Sequence, residues 1–218
     1  DTSANATGVQ TDYGTDGAGS VAYALSLVST STTSTSTSII TSVGSGLYAL
    51  DNNDTSTTDG DGYGQGDEIM LSVVNGDVVG KVLTTANTSK TYFTIAVDSA
   101  GEVTFTQTAN TTTENYNIWH SNTGDHNDAA SLALSEISTG VHAALRLTQT
   151  VTDADGDTDS AFVNLASSDT AADVVANFTV LDDGPDASYD LRSITSSSGK
   201  ITPISLSVDE TDGEQTDP

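Results

Sequence analysis

The chain has 218 residues, of which 31 are acidic and five are basic, so its formal net charge is -26. A field of this sign repels nucleic acids and anionic membrane surfaces, and we expect neither as a partner. The chain has no cysteine, which excludes disulfides and thiol chemistry. No apolar run approaches the ~18 residues of a membrane span. Several Ca²⁺ ions held by Asp and Asn oxygens would offset the excess charge, and the alternative is a surface adapted to salty water.

Short strands are predicted along most of the chain, because Val, Ile, Leu and Tyr alternate with small or polar residues. Asn75-Gly76 and Asp98–Gly101 are turn signals that join pairs of strands into hairpins. The Ser and Thr run at 29–38 indicates an exposed loop or strand edge. Residues 132–137 fit a short helix or a strand. The predicted strands are 21–27, 39–50, 69–74, 78–83, 92–97, 103–107, 141–151, 161–165, 178–181 and 204–208.

Many short strands at this spacing predict an all-β protein, a calcium-stabilised β-sandwich with long acidic loops rich in Gly and Asp. The segment Asp182-Asp183-Gly184-Pro185 breaks the strand pattern and predicts a domain edge. We therefore predict a ligand-binding module at 1–185. Residues 186–218 are predicted to be a linker and strand leading to the next tandem module, since acidic segments stand near both ends of the chain.

The sharpest motif lies between two predicted strands and alternates four aspartates with other residues. Alternate residues of an extended segment point the same way, so four carboxylates are expected to crowd at a hairpin tip. Like charges this close repel, and Ca²⁺ surrounded by about six to eight oxygens removes the conflict. The alternative is a solvated acidic turn. The four candidate calcium ligands are Asp153, Asp155, Asp157 and Asp159.

A second acidic segment spans residues 51–68 and places glycine at every second position in its later half. Glycines let backbone carbonyls and amides approach a ligand closely. A phosphate loop is excluded, because no Lys follows and carboxylates repel phosphate. We predict a calcium site with an open coordination position, and a solvated loop is the alternative. The candidate metal ligands are Asp51, Asp54, Asp59, Asp61 and Asp67.

The only tryptophan and two of the three histidines lie in residues 119–128. Asp125 and Asp128 are candidate calcium ligands there, whereas the spacing of the histidines matches no zinc pattern. Trp119 is a stacking surface for a sugar or aromatic side chain or, more commonly for tryptophan, a core residue. Asp182 and Asp183 are further candidate metal ligands. No nucleophile elbow is present, so no enzyme is predicted.

Several segments resemble modules of giant repeats-in-toxin (RTX) bacterial adhesins. The hairpin Val151–Thr158 resembles one found in many such modules. Four further segments are similar to one class, the calcium-dependent peptide-binding domain, and the resemblance covers about residues 10–186. These segments are Ser45–Asp51, Gly64–Ile69, Asp98–Gln107 and Asp182–Pro185.

The resemblance implies a calcium-stabilised adhesin module, secreted to a bacterial cell surface, that captures the C-terminal end of a peptide or protein on another cell surface. In such domains calcium engages the ligand's terminal carboxylate, and a pocket takes neighbouring side chains. Two alternatives stay open: a module that binds glycans through calcium and Trp119, and an extender in which calcium only stiffens tandem modules. The residues to which ligand binding is carried over are Asp51, Asp59, Asp61, Tyr63, Gly64, Gly66 and Asp67.

Overall fold

The computed structural model describes residues 13–31, 34–56, 63–83, 89–121 and 129–181. In these ranges the chain forms strands and no helix, so the predicted all-β class is confirmed. Accordingly, no helix among the described residues is long and apolar enough to cross a membrane. The strands are β1 (Ala18–Ser31), β2 (Ser34–Ile39), β3 (Val43–Leu50), β4 (Gln65–Val74), β5 (Asp77–Leu83), β6 (Ser89–Val97), β7 (Val103–Gln107), β8 (Ala129–Ser131), β9 (Val141–Asp153), β10 (Thr158–Ser167) and β11 (Thr179–Leu181).

Two antiparallel sheets form a β-sandwich. One sheet has the strand order β10-β9-β1-β2, the other has the order β3-β4-β5-β6-β7, and β8 pairs with β11 in a small third sheet. Successive side chains of a strand point to opposite faces, so one row of apolar residues from each sheet enters the core. Leu27 and Leu145 come from the first sheet and Ile69, Phe93 and Ile95 from the second, and all five are fully buried.

The first sheet extends beyond the core as a three-stranded arm. The first three residues of β1 and the first six of β10 are exposed, whereas Leu25 and Leu27 further along β1 are buried. The arm meets the second sheet at Tyr23, whose ring lies against Gly101 in the β6–β7 turn. A Cβ atom at Gly101 would stand 2.7 Å from that ring, so glycine is required by close packing. The tip of the arm therefore lies beyond this turn.

The free edge of β3 is extended by residues 117–119. The N–H of Leu50 donates to the carbonyl of Asn117 (3.0 Å), and the N–H of Trp119 donates to the carbonyl of Tyr48 (2.8 Å). Ala49 and Ile118 face each other between these two bonds as an antiparallel bridge. This short segment carries Trp119 to the end of β3, next to the start of the acidic loop.

Local expectations from the sequence have mixed outcomes. The Asn75-Gly76 turn joins β4 to β5 with positive φ at both residues (55° and 97°), as a type I′ hairpin requires. The described part of the Ser and Thr run lies in strands, since β1 reaches Ser31 and β2, at the edge of its sheet, begins at Ser34. Residues 132–137 form neither a helix nor a strand. A compact unit spans Asp1–Gly184, and the predicted linker and strand at 186–218 lie outside the described residues.

Candidate functional site

The β9–β10 hairpin ends in a tight turn organised by Asp153. The N–H of Asp153 donates to the carbonyl of Asp157 (3.0 Å). The Asp153 carboxylate accepts the N–H groups of Gly156 (2.9 Å) and Asp157 (2.8 Å). Gly156 has a φ of 102°, which L-residues rarely adopt. A short acidic side chain that bonds the backbone ahead of it, followed by glycine, is the reason that the sequence turns here.

A third carboxylate reaches this tip from the segment before β1. The N–H of Ala154 donates to the carbonyl of Gly17 (3.2 Å) and holds the two turns together. Carboxylate oxygens of Asp16, Asp153 and Asp155 consequently all lie within 4.8 Å of one another. No other group of three or more acidic or histidine side chains is this close among the described residues. An oxygen-only donor set suits a hard cation such as calcium.

The other two aspartates of the alternating motif take different positions. Asp157 closes the turn through its carbonyl, and the Asp159 carboxylate accepts the N–H of Ser160 (2.8 Å) at the start of β10. Neither carboxylate belongs to the group formed with Asp16. The expectation of four crowded carboxylates assumed an extended segment, and the turn removes that alternation. A role for Asp157 and Asp159 as metal ligands stays a prediction.

Negative charge at the tip is favoured on Asp153. The hydrogen bond with the Asp155 carboxyl, followed by those from the N–H groups of Asp157 and Gly156, lowers the pKa of Asp153 below its usual value, despite some desolvation. Hydrogen bonds that favour the charged form depress a carboxyl pKa in this way. The hydrogen bonds of the turn thus favour the ionised form of Asp153.

The base of the 51–68 segment is closed by its own backbone and acidic side chains. The N–H of Asp51 donates to the carbonyl of Gly64 (2.9 Å). The Asp54 carboxylate accepts the N–H groups of Gly64 (2.8 Å) and Ser56 (3.0 Å), and the Asp51 carboxylate accepts that of Asn53 (2.9 Å). A carboxylate has about four lone-pair positions, so these bonds leave room for a cation. We call residues 51–64 the acidic loop.

Two glycines, for which ligand binding stays a prediction, are required by close packing at the base of the acidic loop. Gly64 is buried with a φ of 78°, and a Cβ there would lie 3.4 Å from the Leu50 side chain and 3.8 Å from that of Trp119. A Cβ on Gly66 would stand 2.9 Å from the carbonyl of Ala49. Tyr63, the residue before Gly64, is half-exposed at 49%.

Trp119 is not a core residue, and its role as a stacking surface for a sugar or aromatic side chain stays a prediction. Its indole N–H donates to the carbonyl of Tyr63 (2.9 Å), and its ring meets that of Tyr48 edge-on with centroids 6.2 Å apart. The side chain is half-buried. These contacts fasten the acidic loop to the end of β3.

A pocket of about 410 Å³ opens beside the acidic loop. Leu50, the residue immediately before the loop, is part of its wall, and His120 is fixed there by a hydrogen bond between Nε2 and the carbonyl of Val180 (3.0 Å). The lining mixes apolar and amide side chains. It consists of Leu50, Gln107, Asn117, Ile118, His120, Val180 and Leu181.

A comparison with protein families finds one described as "Domain of unknown function (DUF5801)", which matches residues 1–166. The chain belongs to this family. The matched region includes the three carboxylates of the arm tip, the acidic loop and Trp119, and ends within β10. Neither the curated proteins nor the solved structures gave a match.

The pKa of Tyr92 is sensitive to the carboxylates near the acidic loop of this DUF5801 domain. Burial first, and then the nearby carboxylates of Asp67, Asp51 and Glu114, raise the pKa of Tyr92 above its ordinary value of 10.0. Tyr92 is only 6% exposed and packs edge-on against Tyr116. Asp67 itself is exposed. The carboxylates of Asp51 and Asp67 therefore both lie near Tyr92, although neither belongs to a group of three acids within ligand distance among the described residues.

The remaining predicted ligands lie outside the described residues. These are Asp59, Asp61, Asp125, Asp128, Asp182 and Asp183. Among the described residues, sequence reasoning missed Asp16 as a member of the tip group and Trp119 as the anchor of the acidic loop. The DG-containing turn Asp16-Gly17 before a strand was the available signal for the first. No local signal marks the second, because the acceptor is a backbone carbonyl brought close by the fold.

Proposed function

We propose that this domain is a calcium-dependent adhesin module that binds the C-terminal end of a peptide on a partner cell-surface protein. Calcium held by the acidic loop grips the ligand's terminal carboxylate, and calcium at the arm tip stiffens the arm. The module binds its partner without transforming it. Its place is the extracellular surface of a bacterium, next to further modules of the same chain.

The observation that carries the proposal is the pocket that shares Leu50 with the base of the acidic loop. In this proposal a ligand seated in the pocket reaches past Leu50 toward Asp51, the next residue along the chain. A carboxylate placed there is repelled by the charge of Asp51 unless a cation stands between them, because like charges a few ångströms apart interact strongly. Calcium accepts oxygens from both protein and ligand, so the same ion satisfies both partners.

Isothermal titration calorimetry tests this function with two pools of random-sequence peptides that differ only at the C-terminus. One pool carries a free C-terminal carboxylate and a matched pool is amidated. We expect heat from the free-carboxylate pool in millimolar calcium, and none in EDTA or with the amidated pool. Equal binding of both pools in calcium contradicts a carboxylate-gripping ion.

A structural extender is the second candidate, favoured by the position of the tip group. Asp16, Asp153 and Asp155 lie at the far end of the arm, beyond the β6–β7 turn, whereas the pocket is lined by Gln107 at the opposite end of β7. An ion at the tip therefore stiffens the arm without touching a ligand in the pocket. This candidate predicts calcium-dependent stability and no ligand.

Terbium luminescence separates the two candidates, because Tb³⁺ replaces Ca²⁺ and is sensitised only by a nearby excited ring. Trp119 is the only tryptophan and touches the acidic loop. Selective excitation of Trp119 should give terbium emission if an ion sits in the acidic loop. Terbium that binds without tryptophan-excited emission places all ions away from the loop and favours the extender.

A further inference from the structure

We propose that Arg146 and Phe162 form a docking surface for a partner protein, in which the guanidinium binds one side-chain carboxylate of the partner and the ring packs against an apolar neighbour of that acid. This surface shares no residue with the pocket or the tip group. Binding here needs no metal ion, so it is independent of the proposed function.

Strand alternation places Arg146 on the outer face of the first sheet. In β9 it lies between Leu145, which is fully buried, and Leu147, which packs against the core. Successive side chains point to opposite faces, so the Arg146 side chain points away from the core. On the neighbouring strand β10, Asn164 stands directly opposite Arg146, and Phe162 lies two residues away on the same face.

The guanidinium of Arg146 is held in one orientation. Its Nε–H donates to Oδ1 of Asn164 (3.1 Å), and its Cζ lies 3.9 Å from the centroid of the Phe162 ring, which is a cation–π distance. The side-chain amide of Asn164 donates in turn to the carbonyl of Asp173 (3.4 Å). Four N–H groups remain on the two Nη atoms, enough for paired hydrogen bonds to a carboxylate.

The described part of the chain supplies no such carboxylate. Lys90 lies 3.8 Å from Glu114, whereas no acidic oxygen of the described residues lies within 4.0 Å of the Arg146 guanidinium. Burial nevertheless lowers the pKa of Arg146 below its ordinary value. A cation that is partly removed from water without a counter-charge is unfavourable, and a carboxylate from a partner would offset this cost.

Exposed apolar side chains flank the guanidinium. Phe162 is 54% exposed and Val175, whose N–H donates to the carbonyl of Asn164 (3.0 Å), is 63% exposed. Arginine and aromatic residues are enriched at the centres of protein interfaces, where they supply much of the binding free energy. An oriented guanidinium between exposed apolar groups therefore matches a protein partner.

The charge of the chain narrows the chemistry of that partner. Nucleic acids and sulfated glycans carry many negative charges, which the net charge of -26 repels. A segment with one Asp or Glu between apolar residues avoids most of this repulsion and still pairs with Arg146. The surface thus fits a protein segment in which a single acidic residue stands among apolar ones.

Nuclear magnetic resonance titration of the isotope-labelled chain tests the surface. The probes are the capped tripeptide acetyl-Leu-Glu-Leu-amide and its matched glutamine version, both without a terminal carboxylate and both added in EDTA. We expect the glutamate peptide to shift the Nε–H signal of Arg146 and the ring signals of Phe162. The glutamine peptide should bind about tenfold more weakly, because it lacks the charge. Equal shifts from both peptides overturn the proposal.

Two variants separate the guanidinium from simple charge. Arg146→Lys keeps the charge but not the planar fork and should lose most of the preference for glutamate. Lys81→Gln, in β5 of the other sheet, removes one positive charge elsewhere and should bind like the wild type. An equal loss in both variants contradicts a specific site, and so does a heparin tetrasaccharide that shifts the Arg146 signal at lower concentration than the glutamate peptide. Each of these results leaves calcium-dependent binding of peptide C-termini standing.

Discussion

The arm tip and the acidic loop have nearly the same composition but use their aspartates differently. At the tip, Asp16, Asp153 and Asp155 bring carboxylates within 4.8 Å of one another. In the acidic loop, Asp51 and Asp54 turn their carboxylates onto backbone N–H groups of their own loop. A dense Asp and Gly pattern therefore does not specify one type of site. The two regions differ in whether a second segment of the chain places another carboxylate beside the first ones.

The two regions are also separated by the sandwich. Tyr23 marks the base of the arm at the β6–β7 turn, and Tyr92 marks the acidic loop near the other end of β6. Six residues of extended chain separate Tyr92 from Asp98 at that turn, which is about 20 Å at 3.3 Å per residue. An ion in one region thus leaves the other's contacts untouched, and variants in each can be studied independently.

The largest effect is expected when the tip group loses the member that is distant in sequence. Calcium at 100 times its Kd stabilises a protein by about 2.7 kcal/mol, which raises Tm by about 5–10 °C for a chain of this size. We expect the wild type to show this calcium-dependent rise and Asp16→Asn to lose most of it. Scanning calorimetry in calcium and in EDTA measures the difference.

Asp159→Asn is the matched control, because Asp159 shares the alternating motif but lies outside the tip group. An asparagine oxygen can still accept the Ser160 N–H, so the calcium-dependent rise should be retained. The reverse result, with Asp159→Asn losing the rise and Asp16→Asn keeping it, would show that sequence alternation and not spatial grouping selects the ligands.

Much of the fold was readable from sequence, because strand alternation and turn chemistry are local. The Asn75-Gly76 hairpin follows from residues that tolerate positive φ, and the burial of Leu25 and Leu27 in β1 and of Ala143 and Leu145 in β9 follows from alternating apolar residues. The arm tip was only half readable. Asp153 and Asp155 stand in one motif, whereas Asp16 reaches them only through the pairing of β1 with β9.

The acidic loop was harder to read, because its organising contacts join segments far apart in the chain. Glycine-rich, acidic sequence at 51–68 predicts openness, yet Gly64 and Gly66 serve close packing against Leu50 and Ala49. The frequent burial of tryptophan favoured a core position for Trp119. Its actual partner, the Tyr63 carbonyl, is 56 residues away and carries no sequence signature.

A second prediction distinguishes acidic residues that accept hydrogen bonds from groups of the protein from acidic residues that bind metal ions. Glu68 lies in β4, four residues after the acidic loop, and its Oε1 accepts the N–H of Gly46 (3.0 Å) and the hydroxyl of Ser135 (3.1 Å). Bonds to a charged group are worth about 1.5–3 kcal/mol. We expect Glu68→Ala to lower the free energy of unfolding by about 2 kcal/mol, equally in calcium and EDTA, as measured by urea titration.

Two further variants test whether this loss of stability comes from the hydrogen bonds of Glu68. Glu68→Gln keeps an amide oxygen for the Gly46 N–H and should cost less than Glu68→Ala. Glu102, exposed in the β6–β7 turn, should have little effect when replaced by alanine. A loss for Glu68→Ala that appears only in calcium would instead make Glu68 a metal ligand.

The smallest effect is a titration shift at Tyr92, and it tells which region an ion occupies. The pKa of Tyr92 is raised by burial and by the charges of Asp67 and Asp51. Calcium in the acidic loop offsets those two charges, so the Tyr92 pKa should fall toward its ordinary value, whereas calcium at the arm tip alone should leave it unchanged. The difference between wild type and Tyr92→Phe in alkaline absorbance titration isolates this group, since phenylalanine keeps the packing against Tyr116.

The raised pKa of Tyr92 also makes the free energy of unfolding depend on pH. Because the folded pKa lies above the unfolded one, the contribution of Tyr92 is fully present below pH 10 and is lost as pH rises through the folded pKa. Calcium in the acidic loop lowers the folded pKa and should shrink this loss, so that wild type and Tyr92→Phe converge in their alkaline unfolding. An alkaline difference that calcium leaves intact, together with a calcium-dependent rise in Tm, would place the stabilising ion away from the acidic loop.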